Sequence, residues 1–306
     1  MTDFSLSTPV AFIIFNRPDT TEQVFNEIAK AKPPKLLVIA DGPRKDKEGE
    51  GNLVAQARAI IDRVDWDCEV LTNYSETNLG CKLRVSSGLD WVFDQVPEAI
   101  VLEDDCLPHS DFFRFCEELL VRYRNEKRIG MISGCNFQFG AHWDDNSYYF
   151  SRYNHIWGWA SWSDRWNNNY DVSMSTWPNF KKNRGFNSFM ERPQEAKFWK
   201  KNFEKVYKGE IDTWDYQWTF ACWQRNMLTI LPCNNLISNI GFGVGATHTT
   251  SESYMAEMVT DALKFPLVHP GSIERNKEAD NRSSERVYCP TQQSSLVGRI
   301  KRAFGK

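Results

Sequence analysis

The sequence predicts an α/β fold in which a mostly parallel sheet is covered by helices. Within residues 10–132, short apolar runs typical of buried strands alternate four times with segments whose apolar residues recur at helical spacing. Polar and acidic residues come directly after several of these runs. Such alternation is typical of parallel sheets, which bind ligands in the crevice beyond the carboxyl ends of their strands.

The first predicted strand covers residues 10–15, and a helix follows it at once, with Thr20 and Gln23 placed as a capping box. The second strand covers residues 36–40 and leads into a charged loop over 44–51. The remaining elements of the alternation are predicted as helices at 52–63, 82–95 and 111–124, and as strands at 68–71, 99–102 and 129–132.

Tryptophan divides the chain into two regions. Ten of the twelve tryptophans lie within one stretch of 81 positions, residues 143–223. In this region, helices are predicted at 194–208 and 215–226 and a strand at 228–231. After residue 250 the chain becomes polar, and residues 271–287 have the composition of a linker. The last twelve residues, 295–306, form either a basic amphipathic helix at a membrane surface or a frayed basic tail.

Composition excludes several classes of protein. With 41% hydrophobic and 14% aromatic residues the chain is not disordered, and a net charge of −3 gives no electrostatic reason to expect a nucleic-acid partner. No apolar run approaches the ~18 residues of a membrane-spanning helix, and the start of the sequence lacks an export signal. Eight cysteines without a C-x-x-C pair favour a reducing compartment, so we expect a cytoplasmic protein.

Three consecutive acids, Glu103, Asp104 and Asp105, follow the strand predicted at 99–102. In an extended chain Glu103 and Asp105 point to one face, where like charges oppose each other's ionisation. A divalent cation would relieve this repulsion, and carboxylate oxygens select hard ions such as Mg²⁺ or Mn²⁺. The alternative is a solvated strand end without a ligand. We predict a metal site that is completed by the phosphates of a substrate.

The same crevice offers further polar residues. Asn16 and Arg17 follow the first strand, Asp41 follows the second, and Lys82 and Arg84 begin a helix. Asp41 could accept a hydrogen bond from a base or sugar, and the two cations could bind phosphate; turn formation and plain solvation are the alternatives. The loop FNRPDTTEQ after the first strand contains no glycine, which excludes a P-loop and a G-x-G-x-x-G turn.

A second acidic candidate lies in the tryptophan-rich region. Asp215 is flanked in sequence by Trp214 and Trp218, which would partly desolvate its carboxylate and raise its pKa towards that of a general base. The alternative is a helix N-cap. Tryptophans near a sugar stack on its C–H face, although most large aromatics fill the core. His248, in a polar turn, is a candidate phosphate or metal contact.

Together these motifs resemble the nucleotide-sugar-dependent glycosyltransferases of the GT-A fold, whose acidic metal-binding motif ends a strand in the same way. More narrowly, the EDD triplet followed by P-x-x-D-F-F, the segment 157–160 (WGWA) and the W-D-x-x-W pattern of 214–218 look like the inverting N-acetylglucosaminyltransferase I group and its bacterial relatives. The resemblance spans residues 9–250.

The resemblance implies a metal-dependent, inverting transfer of a sugar from a UDP donor to a hydroxyl of a glycan or glycolipid. It implies that Asp105 binds Mn²⁺ or Mg²⁺ and that Asp215 is the base. The contacts to the nucleotide sugar that the resemblance implies are Arg17 and Asp41 at the uridine, Glu103 and Asp104 at the ribose or sugar, and His248 near the diphosphate. Their place in the crevice or their aromatic character adds further predicted contacts: Asn16, Lys82, Arg84, Trp157 and Trp159.

The expected organisation has three parts. Residues 1–133 form a Rossmann-like nucleotide-sugar-binding half, residues 134–250 form the acceptor-side half of the same GT-A domain, and residues 251–306 form a polar extension with a basic amphipathic tail. Peripheral contact of this tail with the inner membrane surface and a frayed tail without a partner both stay open. Three alternatives stay open: a sugar nucleotidyltransferase, a metal-dependent phosphohydrolase and a non-catalytic carbohydrate-binding module. The glycine-free first loop argues against the first, and a binding module has no need of the acidic triplet.

Overall fold

An eight-stranded sheet forms the centre of the computed structural model, which describes residues 4–182, 186, 190–242 and 258–289. Its strands are β1 Val10–Ile14, β2 Lys35–Ala40, β3 Glu69–Tyr74, β4 Glu98–Glu103, β6 Ile129–Ser133, β7 Tyr148–Ser151, β8 Trp159–Trp162 and β9 Leu228–Pro232. Two short strands, β5 Cys106–Pro108 and β10 Ile237–Asn239, pair with each other outside it.

The strand order along the sheet is β3-β2-β1-β4-β8-β6-β9-β7. The first four strands run parallel, with Val10 opposite both Leu36 and Ile100. β8 lies antiparallel between β4 and β6, β9 is parallel to β6, and β7 closes the edge antiparallel to β9. The predicted fold class, an α/β fold with a Rossmann-like, mostly parallel sheet flanked by helices, is therefore confirmed.

Helices cover both faces of this sheet. They are α1 Pro18–Ala31, α2 Glu50–Ala59, α3 Gly80–Gln95, α4 Asp111–Tyr123, α5 Ser163–Asn167, α6 Trp177–Phe180, α7 Pro193–Tyr207, α8 Asp215–Gln224 and α9 Lys277–Ser283. A 3₁₀ turn, Ile60–Arg63, extends α2, and a π-helical turn, Ser284–Tyr288, extends α9. Among the described residues, none of these helices combines the length and the apolar character that crossing a lipid bilayer requires.

The sheet separates two apolar cores because successive residues of a strand point to opposite faces. Phe12 of β1 belongs to the core under α1 and α4, whereas its neighbour Ile13 belongs to the core under α3 and α8. The second core contains most of the buried tryptophans: Trp159, Trp166, Trp177, Trp199, Trp214, Trp218 and Trp223. The concentration of tryptophan in the second half of the chain is thus mainly a packing feature.

Two sequence-based expectations about local structure are wrong. Helix α1 begins at Pro18, and the Thr20 hydroxyl donates to the Arg17 carbonyl oxygen, so no capping box forms. Residues 277–287 belong to the segment predicted as a linker, yet they lie in α9 and its π-helical extension. Asp280 explains the second difference, because its buried carboxylate accepts from the Ser151 hydroxyl and pairs with Arg275. Composition alone does not reveal that these polar residues find buried partners.

Candidate active site

A cavity of about 630 Å³ lies beyond the carboxyl ends of β1, β2 and β4. Its volume is in the range of small-molecule sites. The three strand ends contribute one wall, and the α7–α8 connection contributes residues 211–214 and the start of α8. The end of β10 and the chain after it contribute Asn239, Gly241 and Phe242. The cavity therefore joins the parallel half of the sheet to the tryptophan-rich half.

Arg17 binds two of the three consecutive acids. Its Nη1 donates to Asp105 Oδ2 at 2.9 Å, and its Nη2 pairs with Asp104 Oδ1. The buried Asp104 also accepts from the Phe15 backbone N–H through Oδ2 at 3.1 Å. Burial alone would lower the pKa of Arg17, but the charges of Asp104 and Asp105 raise it above its ordinary value. Asp104 thus fixes Arg17 at the end of β1, while Asp105 is the more accessible acid.

Glu103 carries the least compensated charge of the triplet. Its Oε1 is buried without a hydrogen-bond partner among the described residues. Burial, followed by the charges of Asp105 and Asp104, raises the pKa of Glu103 well above its ordinary value, and the charge of Asp215 contributes in the same direction. Asp215 therefore lies close enough to the triplet for their charges to interact, as the predicted site requires.

Asp41 lines the cavity, but its carboxylate is occupied. Oδ1 accepts from the backbone N–H groups of Gly42 and Leu79 at 2.9 Å each, and Oδ2 accepts from Gly80 N–H and Asn78 Nδ2 at 3.0 Å each. Burial raises the pKa of Asp41, while these backbone hydrogen bonds act against the rise. Asp41 therefore holds the loop before α3 in place, and its predicted direct contact with a base or sugar would compete with these bonds.

The start of α3 is capped from a distant part of the chain. Asp212 accepts from the backbone N–H groups of Cys81 at 3.0 Å and Lys82 at 3.1 Å. Gly80 has φ +79°, and a Cβ there would lie 2.8 Å from Asp212 Oδ2. Because Asp41 and Asp212 together accept the first N–H groups of this helix, they occupy the place where a phosphate would otherwise bind at a helix N-terminus.

Asp215 is the first residue of α8 and lines the cavity together with Thr213, Trp214 and Tyr216. The Thr213 hydroxyl donates a hydrogen bond to Asp215 Oδ1. Trp214 and Trp218 are fully buried beneath it. The carboxylate is therefore partly buried, oriented by a neighbouring hydroxyl and directed to the same space as the acidic triplet.

The two tryptophans predicted to contact the sugar nucleotide differ in position. Trp157 is half-buried, lines the cavity and packs edge-to-face against Phe242 with ring centroids 5.7 Å apart. Trp159 is fully buried in the core and stacks on Trp214 with ring centroids 5.8 Å apart. The structure therefore corrects the interpretation of Trp159, because a side chain packed among other tryptophans on the sheet cannot reach a ligand.

The other predicted residues are distributed around the cavity. Arg84 lines it, donates to the Asn73 side chain at 2.7 Å and has a buried Nε without a partner among the described residues. Asn16 and Lys82 do not line the cavity; the Asn16 amide instead donates to Glu50 at 2.9 Å. His248 lies outside the described residues, as does the tail over 295–306.

Sequence reasoning missed three contributors to the cavity. Arg44, placed in a charged loop, lines the cavity and pairs with the buried Glu50. The sequence pattern favours Asp215 over the nearby Asp212, and the segment at Gly241 carries no recognisable signal. A Cβ at Gly241 would overlap Asp105 Oδ2 and lie 2.7 Å from Arg17 Nη1. Only glycine lets this segment pass so close to the Arg17–Asp105 pair.

The charged side chains that line the cavity determine whether it can hold a metal ion. Among the described residues, six carboxylates and three guanidinium groups line the cavity. Among the described residues, no three or more His, Cys, Asp or Glu side chains are grouped as a ready-made metal site. Mg²⁺, however, is typically held by one or two carboxylates together with substrate phosphates. The unpartnered Glu103 oxygen and the accessible Asp105 are hard oxygen donors, so they fit an ion that a phosphate ligand completes.

No protein-family model matches the chain, and no curated protein matches it. Among solved structures, it is similar to the mannosyltransferase PcManGT from Pyrobaculum calidifontis in complex with GDP-Man and Mn²⁺, at 9% identity over 73% of this chain and 70% of that one, with a TM-score of 0.40. It is also similar to a cytidylyltransferase from Leptospira borgpetersenii serovar Hardjo-bovis, at 9% identity over 65% of this chain and 73% of that one, with a TM-score of 0.33.

A third similar structure is mouse xyloside xylosyltransferase 1 in its apo form, at 8% identity over 72% of this chain and 84% of that one, with a TM-score of 0.33. Likeness at these levels assigns neither an activity nor a substrate to the chain. These three structures also do not place it in the inverting N-acetylglucosaminyltransferase I group that its motifs resemble.

Proposed function

We propose that this protein is a metal-dependent glycosyltransferase of the GT-A type that moves a sugar from a nucleotide donor to an acceptor hydroxyl. One observation carries the proposal: a single cavity contains the acidic triplet at the end of β4 and the carboxylate of Asp215 at the start of α8. The first group suits a metal-bound diphosphate and the second suits a base. Between them lies space for a nucleotide sugar.

The electrostatics of the cavity support a cation that enters with the donor. A nucleoside diphosphate is an anion, and a cavity lined by twice as many carboxylates as guanidinium groups would repel it. Asp105 and Glu103 would hold Mn²⁺ or Mg²⁺, which would bring the diphosphate into this acidic site and act as a Lewis acid on its oxygens. Arg17, locked by Asp104, would position Asp105.

Asp215 would act as the general base. Its carboxylate would take the proton of the acceptor hydroxyl while that oxygen forms a bond to the anomeric carbon of the sugar. The bond from this carbon to the diphosphate oxygen would break, and the nucleoside diphosphate would leave with the electron pair. The Thr213 hydroxyl, which donates to Oδ1, would orient this carboxylate. A base on the side of the sugar away from the leaving group would give inversion.

The aromatic wall of Trp157 and Phe242 would cover the sugar. An aromatic face contacts the C–H face of a pyranose, and the rings would keep water away from the activated donor. Arg84, with its unpartnered Nε, is proposed as a contact to the nucleotide. UDP as the nucleotide, and a glycan or glycolipid as the acceptor, are the choices that the sequence motifs favour.

A panel of nucleotide sugars tests the proposal directly. One nucleotide sugar of the panel should raise the melting temperature of the full chain, because a ligand that binds the native state stabilises it. This rise should be larger in the presence of Mn²⁺ than in its absence. The stabilising donor should then release nucleoside diphosphate, faster when the acceptor is added.

The products separate the proposal from its rivals. A nucleotidyltransferase would instead join a nucleoside triphosphate to a sugar phosphate and release pyrophosphate. A phosphohydrolase would release nucleoside monophosphate or phosphate without an acceptor. A carbohydrate-binding module would bind a glycan without metal and would bind no nucleotide. Any of these three results would overturn the proposed function.

A further inference from the structure

A second concave surface lies on the solvent side of α7. A groove of about 540 Å³ runs between this helix and the turn that follows α6. It is lined by Lys181, Lys182, Lys197, Lys200, Lys201 and Glu204, which we name the lysine groove. None of these residues lines the cavity described above. The groove is therefore a separate feature whose charge the proposed reaction does not use.

The fold of α7 places these lysines outward. Trp199, Phe203 and Val206 are buried, and Phe203 packs against Phe220 of α8 with ring centroids 5.7 Å apart. This contact fixes the buried face of α7. Lys197 lies three and four residues before the adjacent pair Lys200 and Lys201, and Glu204 lies four and three residues after that pair, which places all four along one other face of the helix.

The positive charge of the groove is largely uncompensated. Glu204 is the one carboxylate among the described residues that line it, and it binds Lys181 at 2.7 Å and Lys208 at 3.6 Å. Lys182, Lys197, Lys200 and Lys201 form no ion pair with any carboxylate in the described part of the chain. Five ammonium groups thus face one carboxylate in a chain whose net charge is −3. A local concentration of one sign of charge on an otherwise acidic chain attracts anionic partners.

We propose that the lysine groove docks the protein on an anionic phospholipid bilayer. The lysines are distributed over two segments, so they match an array of phosphates better than a single bidentate anion. Lysine acts as a hydrated point charge on a flexible stem, which suits attraction to a layer of lipid headgroups.

Two features favour a bilayer over a nucleic acid. A long soluble polyanion would extend past the groove onto the rest of the protein, whose net charge is more negative than that of the whole chain. A bilayer, in contrast, contacts one face only. The groove residues are also lysines and one glutamate, without an aromatic ring on which a base could stack. The proposal does not depend on the proposed catalytic function, because docking is measured without nucleotide.

Vesicle sedimentation tests the docking surface. The full chain is incubated with vesicles of phosphatidylcholine and phosphatidylglycerol in a 3:1 ratio, or of phosphatidylcholine alone, at 50 and 500 mM NaCl. The double variant Lys200→Glu/Lys201→Glu reverses two groove charges. The matched control Lys264→Glu/Lys277→Glu makes the same change in net charge at two exposed lysines outside the groove. Thermal unfolding of each variant verifies that it is folded, and Lys200→Gln/Lys201→Gln removes the charges without adding acids.

We expect the protein to bind the phosphatidylglycerol vesicles at 50 mM NaCl and to leave them at 500 mM. The groove variant should bind at least about tenfold more weakly than the control variant, with the glutamine pair in between. Equal binding by groove and control variants overturns the proposal, as does the absence of binding to phosphatidylglycerol. Tighter binding to a single-stranded 20-nucleotide DNA than to the vesicles, lost in the groove variant, also overturns it by assigning the groove to nucleic acid.

Discussion

The carboxylate of Asp212 and the backbone N–H of Lys82 are hydrogen-bonded at 3.1 Å, although 130 residues separate them along the chain. The same carboxylate accepts from Cys81. These bonds join the connection that carries Asp215 to the first turn of α3, and hence join the two walls of the cavity. Asp212 is thus a positioning residue for the proposed base.

We expect Asp212→Ala to lower kcat by about tenfold or more and to leave the KM for the donor within about twofold of that of the unmodified protein. The reason is that displacement of the base impairs the chemical step more than it impairs donor binding. The loss of the helix cap should also lower the free energy of unfolding by about 1 kcal/mol. Steady-state kinetics and urea unfolding measure the two effects. Glu210→Ala, two residues away and exposed, is the control; equal kinetics for the two variants would show that Asp212 has no positioning role.

Asp215→Asn removes the proposed base with little change in shape. Turnover should fall by at least about 10²-fold, the range for loss of a general base, while the donor still stabilises the protein against heat. Initial rates of diphosphate release and thermal unfolding with the donor provide the two readouts. Turnover close to that of the unmodified protein would leave Asp215 as a structural residue at the start of α8.

Gly241→Ala tests the contact between the chain after β10 and the acidic triplet. The added methyl group would overlap Asp105 and crowd Arg17, so we expect this pair to shift and the protein to lose about 1–3 kcal/mol of stability. Binding of UDP with Mn²⁺ should weaken in parallel. Gly271→Ala, where a Cβ meets no atom within 4 Å, is the matched control. Identical behaviour of the two variants in urea unfolding and UDP titration would contradict the described contact.

His155 should make stability depend on pH. It is buried, its ring lies 4.4 Å from that of Phe137, and burial lowers its pKa to about 3. Below the ordinary pKa of histidine, about 6.5, the unfolded chain takes up a proton that the folded chain does not, so this contribution to stability is lost as pH falls. Between pH 7 and pH 5 the loss amounts to about 2 kcal/mol.

The corresponding measurement is urea unfolding of the unmodified protein and of His155→Gln at pH 5, 6 and 7. His155→Gln should not show this loss of unfolding free energy between pH 7 and pH 5, whatever its stability at pH 7. His142→Gln, at an exposed histidine, should behave like the unmodified protein. Parallel pH profiles for the unmodified protein and His155→Gln would refute the role of the buried ring.

The parallel half of the fold could be predicted because its signals are local. Buried strands such as β1 and β4 are continuous apolar runs, and the intervening helices have one apolar face. The antiparallel insertion of β8 between β4 and β6 is a matter of long-range pairing, which no local pattern encodes. Residues 277–287 were misjudged for a related reason, since the partners of Asp280 lie far away in the sequence.

The site could be predicted in part for a geometric reason. Parallel strands end at the same edge of the sheet, so residues such as Arg17, Asp41 and Asp105 were expected together, and all three line one cavity. Trp157 and Trp159 could not be distinguished, because residues two apart share one face of an extended strand and the sequence does not show that β8 begins only at Trp159. The link between Asp212 and α3 is likewise a contact between distant segments.

The most direct test of the account is a calorimetric titration of UDP into the protein with and without Mn²⁺. We expect UDP to bind in the presence of Mn²⁺ and to bind much more weakly, or not at all, once the metal is removed. Asp105→Asn should weaken the metal-dependent affinity by at least about tenfold, because one charged ligand is lost. Asp94→Asn, at an exposed site on α3, should bind as the unmodified protein does. UDP affinity that is independent of Mn²⁺, or equal in Asp105→Asn and the unmodified protein, would contradict the proposal that the acids ending β4 form a metal–diphosphate site.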